Sequence, residues 1–94
     1  MDKITLQSLA SDLKRIALSI QRNSPKNAHR FQEEAFKWLQ ESKNGSVKNN
    51  DSIKKILGKV ERCLAQRNNL KKAEDLLMYS TLIQNRTTVL TRNN

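Results

Sequence analysis

Apolar residues recur every three or four positions along most of the chain, which is the spacing of an amphipathic helix. The clearest example runs from about Lys3 to Arg22, where the apolar positions fall within a sector roughly 120° wide. These positions are Leu6, Leu9, Ala10, Leu13, Ile16, Ala17 and Ile20. The pattern predicts a first helix with one buried face.

The tripeptide Asn23-Ser24-Pro25 interrupts this pattern and predicts the start of a second helix. Ser24 is a favourable N-cap, and Pro25 suits the first helical position because the N–H that it lacks would have no helical partner there. We expect the second helix to run from Pro25 to about Ser42. Its inner positions are Ala28, Phe31, Ala35, Trp38 and Leu39.

A polar segment over residues 43–50 predicts the main loop, with Asn44-Gly45 as its turn. A third helix should follow over about residues 51–67. Its core stripe consists of Ile53, Ile56, Leu57, Val60 and Leu64, with Cys63 at the margin. Gly58 lies on the outer side of this helix and weakens it by roughly 1 kcal/mol relative to Ala.

A break is predicted at Asn68-Asn69 because the apolar stripe changes direction there. In one unbroken helix the next stripe would lie roughly 170° around from the preceding one. That stripe comprises Leu70, Ala73, Leu76, Leu77 and Ile83. A turn with an antiparallel fourth helix lets both stripes face one core, whereas the alternative is three helices with a long C-terminal helix. Lys71 and Lys72 argue against the turn, because the helix dipole disfavours cations in a first turn.

The fourth helix is expected to end near Asn85 or to fray towards Leu90, because residues 87–91 are mostly β-branched. Residues 91–94 are expected to be disordered. The whole chain, residues 1–94, is therefore predicted to be a single all-α domain, a small up-down bundle of four helices.

Composition supports this class of fold. The 94 residues include only two glycines and one proline, too few for a turn-rich β fold. A single cysteine rules out an internal disulfide, and the chain has no apolar run near 18 residues or continuous apolar N-terminal segment. We expect a cytoplasmic protein with no membrane partner.

Candidate chemistry is sparse. The only histidine and the only cysteine, His29 and Cys63, lie on different predicted helices. Adjacent carboxylates in a helix diverge by about 100°, so neither Glu33-Glu34 nor Glu74-Asp75 converges on one metal or proton. We therefore expect no catalytic site, no metal and no cofactor.

The net charge is +9, from 18 Lys and Arg against 9 Asp and Glu. The largest share lies in residues 44–69, whereas the second helix nearly balances its own charge. Cations need little else to contact a phosphate backbone. The candidate polyanion-binding residues are Lys48, Lys55, Lys59 and Arg62, and the alternative is an ordinary solvated helix face.

Some apolar residues fall outside the four core stripes. If exposed, they would form a docking patch. The candidates for protein docking are Phe36, Tyr79 and Leu82; Ile4, Leu18 and Met78 are further outliers. The function expected first is a small non-catalytic regulatory or adaptor protein that contacts an acidic partner protein or a second copy of itself. The alternative is a nucleic-acid-binding protein that uses a basic face on the third helix.

Overall fold

The computed structural model describes the backbone of residues 2–44 and 51–92, and the side chains of residues 5–42 and 52–86. The fold is an all-α bundle of four helices, as predicted. They are α1 (Asp2–Gln21), α2 (Pro25–Asn44), α3 (Asp51–Leu64) and α4 (Leu70–Arg92). The alternative with three helices is wrong, because the chain turns between α3 and α4.

The core is formed by the predicted stripes. All the apolar α1 positions from Leu6 to Ala17 are fully buried, and Ile20 packs at the edge. The other helices contribute buried residues from their own stripes. These are Ala28, Ala35 and Leu39 on α2, Ile53, Ile56, Leu57, Val60, Cys63 and Leu64 on α3, and Ala73, Leu76 and Ile83 on α4.

The connection between α1 and α2 is a Schellman motif. Ser24 N–H donates to the Ser19 carbonyl at 2.8 Å, and Asn23 N–H donates to the Ile20 carbonyl at 3.1 Å. Asn23 has a φ of 55°, the left-handed conformation that this motif requires and that Asn tolerates. The Ser24 carbonyl then accepts the first hydrogen bond of α2, from Ala28 N–H at 3.0 Å, so α2 begins at Pro25 as predicted.

The connection between α3 and α4 confirms the predicted break at Asn68-Asn69. Asn69 is the N-cap of α4: its Oδ1 accepts the Lys72 N–H at 2.8 Å, and its carbonyl accepts the Ala73 N–H at 3.1 Å. The third helix ends at Leu64, three residues before the predicted end at Arg67.

The C-terminal end of α4 differs from the expectation. The helix continues to Arg92, past the predicted end between Asn85 and Leu90, so residues 91 and 92 are helical rather than disordered. Propensity is a weak guide here because each residue added to a helix that already exists gains one backbone hydrogen bond without the cost of nucleation. Residues 93 and 94 lie outside the described residues.

α1 packs more extensively than α2 or α3, against both α2 and α4, whereas α3 packs against α4 and makes a smaller contact with α2. Ser80 on α4 is buried, and its Oγ donates to the Ala10 carbonyl of α1 at 2.7 Å. This packing leaves the outer face of α3 open to solvent.

Candidate nucleic-acid interface

The outer face of α3 carries four exposed cations: Lys54, Lys55, Lys59 and Arg62. At about 100° per residue they lie opposite the buried stripe of the same helix. Lys55, Lys59 and Arg62 were predicted to share this face; Lys54 joins them. The fourth candidate, Lys48, lies outside the described residues. We call the four exposed cations the α3 basic patch.

Gly58 lies at the centre of the patch. Together with the four cations it lines an open concavity of about 270 Å³, and none of the five lining residues is acidic. A Cβ atom built on Gly58 would meet no atom within 4 Å. The glycine weakens an exposed helix by about 1 kcal/mol relative to Ala, so neither packing nor helix stability favours it.

The patch is concentrated rather than diluted by nearby carboxylates. Within residues 52–64, the part of α3 with described side chains, Glu61 is the only acidic residue, and it is half-buried next to Arg62. The cations span nine residues, from Lys54 to Arg62, or about 12 Å of helix axis. Duplex phosphates on one strand repeat about every 3.4 Å along the duplex axis, so a duplex that lies parallel to α3 would present about four phosphates over this length.

The candidate docking residues have a different environment. Phe36, Tyr79 and Leu82 are half-buried and pack against the hydrophobic core. Among described residues, the large apolar side chains with high exposure are Leu70 at 67% and Met78 at 48%. Leu18 is half-buried, and the side chain of Ile4 lies outside the described residues. The structure thus does not bring the three candidates together as an exposed patch.

Lys72 is a buried cation that the sequence analysis did not identify as buried. It is 1% exposed, and its Nζ lies 2.8–3.0 Å from four oxygens, which share its three N–H donors. These belong to the carbonyls of Leu64 and Gln66 and the side chains of Gln32 and Asn68. Burial lowers the pKa of its ammonium group. The ammonium therefore caps the C-terminus of α3, where the last carbonyls have no helical donor.

A polar pocket between α1 and α2 was also missed. Asp12 is fully buried beside it, and its Oδ1 lies 3.2 Å from Arg15 Nη1. No described residue donates a hydrogen bond to Asp12 Oδ2, and none accepts one from the buried Trp38 Nε1. Burial, followed by repulsion from Glu34, raises the pKa of Asp12 to about 6.

No catalytic arrangement emerges from the two residues considered for it. His29 is exposed and pairs with Glu33 on its own helix at 2.8 Å. Cys63 is buried, and burial raises the pKa of its thiol, which disfavours the nucleophilic thiolate. Across the described residues, no group of three or more His, Cys, Asp and Glu side chains could hold a metal ion.

Two further observations bear on the class of protein. Within the described ranges, no helix combines the length and the apolar character needed to cross a membrane. Comparison with known protein families, with curated proteins and with solved structures finds no match for this chain. The fold and the exposed cations therefore define it as a small basic all-α bundle, and its function has to be argued from its own residues.

Proposed function

We propose that this protein binds double-stranded nucleic acid through the α3 basic patch, without reading its sequence. The observation that carries the proposal is the placement of four exposed cations around Gly58, with no acidic residue lining the same concavity. Phosphate contacts need cations rather than a particular hydrogen-bond pattern, and such contacts account for nearly all of non-specific binding.

A duplex suits this surface better than a single strand. Single-strand binders stack bases on exposed aromatic side chains. The four aromatic residues, Phe31, Phe36, Trp38 and Tyr79, are all half-buried and pack against the core. Binding by phosphate contacts alone needs no stacking platform, which supports a duplex as the ligand.

The adaptor function that the sequence analysis ranked first has less support. It depended on an exposed patch of Phe36, Tyr79 and Leu82, and each of these packs against the core. Among the described residues, the large apolar side chains with high exposure are Leu70 and Met78, and these two residues, eight positions apart on α4, make a small docking surface. We therefore place nucleic-acid binding first.

The test is a titration of a labelled DNA duplex of arbitrary sequence, followed by fluorescence anisotropy at several salt concentrations. Four phosphate contacts predict a slope of log K against log salt of about −3.6, and a loss of affinity of about 100-fold between 50 and 200 mM salt. The triple variant K55E/K59E/R62E should abolish binding. Absence of binding by the wild type at low salt would refute the proposal.

A matched variant separates the patch from net charge. Lys14, Lys26 and Lys37 are exposed on α1 and α2, and their reversal in K14E/K26E/K37E changes the net charge by the same amount. We expect this control to retain most of the affinity. Equal losses in the two triple variants would mean that overall charge, rather than the α3 basic patch, attracts the duplex.

A further inference from the structure

Gly58 occupies an unusual position within the α3 basic patch. On a helix surface the neighbours of any residue lie three or four positions away and one position along. For Gly58 four of those neighbours are the exposed cations Lys54, Lys55, Lys59 and Arg62, and the other two are the buried Leu57 and the half-buried Glu61. The residue without a side chain therefore lies among four long, exposed cations and beside one half-buried carboxylate.

Neither folding nor packing accounts for a glycine here. Its φ is not positive, so the backbone conformation is open to any residue. The space above its Cα is open, since a Cβ would meet no atom within 4 Å, so a larger side chain would fit in the unbound protein. Glycine also weakens an exposed helix. What the missing side chain provides is access to the helix surface for a ligand.

We infer that Gly58 is the contact point for one phosphate group of the bound backbone, which lies against the bare helix surface between the four cations. This inference rests on the proposed function and identifies the centre of the same site. The missing Cβ lets the phosphate approach the helix axis more closely, where cations from the turns on both sides can reach it. Attraction between charges grows as their separation shrinks, so the close approach strengthens each contact.

The backbone N–H of Gly58 is not the anchor in this arrangement. Gly58 lies in the middle of α3, where its N–H bonds to the carbonyl four residues earlier. Lys and Arg side chains supply the donors instead, and Arg can contact two phosphate oxygens at once. The glycine contributes by its shape and the cations by their charge, so substitution of the glycine tests the shape alone.

The test uses the full chain with two neutral substitutions, G58A and G58Q. Both residues favour helix more than glycine does, so we expect the melting temperature to rise in both variants. Affinity for the duplex should fall, slightly for G58A and by about eightfold for G58Q at 0.1 M salt, because one phosphate contact is lost. The salt slope of G58Q should shrink by about 0.9 for the same reason.

A control and a second ligand complete the experiment. Gln40 is exposed on α2, and Q40A should leave the affinity unchanged. Inorganic phosphate should compete with the duplex for the wild type more effectively than for G58Q, which tests whether a phosphate alone suffices. If G58A and G58Q bind the duplex as tightly as the wild type, the role of Gly58 is overturned while the proposed function stands. If the wild type does not bind, both are overturned.

Discussion

The Nζ atom of Lys72 lies 3.0 Å from the carbonyl oxygen of Leu64, so a buried ammonium group closes the C-terminus of α3. Lys72 belongs to the first turn of α4, where its charge opposes the dipole of its own helix. Its side chain instead reaches back to the negative end of α3, whose last carbonyls lack helical donors. Lys72, whose charge is unfavourable for its own helix, thus stabilises the connection between α3 and α4.

Replacement of Lys72 by methionine should destabilise the fold. K72M leaves the Leu64 and Gln66 carbonyls without the donor that they have now. Hydrogen bonds from a charged group contribute about 1.5–3 kcal/mol, so we expect the free energy of unfolding to fall by about 2–3 kcal/mol in urea denaturation. The neighbouring Lys71 is exposed, and K71M should change it little. Equal effects in the two variants would contradict the capping role.

The fold could be predicted from the sequence because it depends on local periodicity. The stripe from Leu6 to Ala17, the start of α2 at Pro25 and the turn at Asn68-Asn69 all follow from spacing and capping rules, and the structure confirms them. The predicted end of α3 was wrong by three residues, and the carbonyls at the observed end are bonded by Lys72 of α4, a contact that local spacing cannot predict. The prediction of disorder at residues 91 and 92 was wrong because it relied on low helix propensity, whereas α4 continues through both residues.

The site was only partly accessible to the same reasoning. The shared face of Lys55, Lys59 and Arg62 follows from helical spacing alone, and their exposure bears this out. The sequence carries no signal that Asp12 is buried, because its position lies just beyond the apolar stripe and its burial depends on how α2 packs across it. The burial of Lys72 has no local signal either, because it depends on carbonyls of the α3–α4 connection and on Gln32 of α2.

Ser80 joins α4 to α1 through one buried hydrogen bond. Its Oγ donates to the Ala10 carbonyl at 2.7 Å, although these residues are 70 positions apart. S80A removes this bond and should lower the free energy of unfolding by about 1 kcal/mol. Thr81 Oγ1 instead donates to Leu77 within α4 and is exposed, so T81A should have a smaller effect. A larger loss for T81A than for S80A would show that the interhelical bond is not stabilising.

The Schellman motif after α1 depends on the left-handed conformation of Asn23. A residue with a Cβ other than Asn or Asp pays about 1–2 kcal/mol in that conformation, whereas glycine adopts it freely. We therefore expect N23A to lower the free energy of unfolding by about 1 kcal/mol, and N23G to leave it equal or slightly higher. Denaturation curves for both variants give the comparison. Equal free energies of unfolding for N23A and N23G would mean that the φ of 55° at position 23 imposes no cost on a residue with a Cβ.

Asp12 should make the stability of the bundle depend on pH. Its pKa is raised from 3.8 to about 6 by burial and by Glu34, so the folded state holds the proton more tightly than the unfolded state. The free energy of unfolding is therefore greatest below the pKa of Asp12 in the unfolded state, about 3.8, and it falls as the pH rises through about 6. The difference between the two pKa values corresponds to about 3 kcal/mol in the free energy of unfolding.

The variant D12N isolates this effect because the amide cannot ionise. We expect its free energy of unfolding to stay nearly level from pH 4 to pH 7 in the same buffers where that of the wild type falls, so the difference between the two curves grows with pH by about 3 kcal/mol. Glu41 is an exposed carboxylate on α2, and E41Q should keep the wild-type profile. E34Q should end the fall at a lower pH and make the total loss smaller, because Glu34 is one of the groups that raise the pKa of Asp12 in the folded state. A difference between D12N and the wild type that does not change with pH would show that Asp12 titrates equally in the folded and unfolded states.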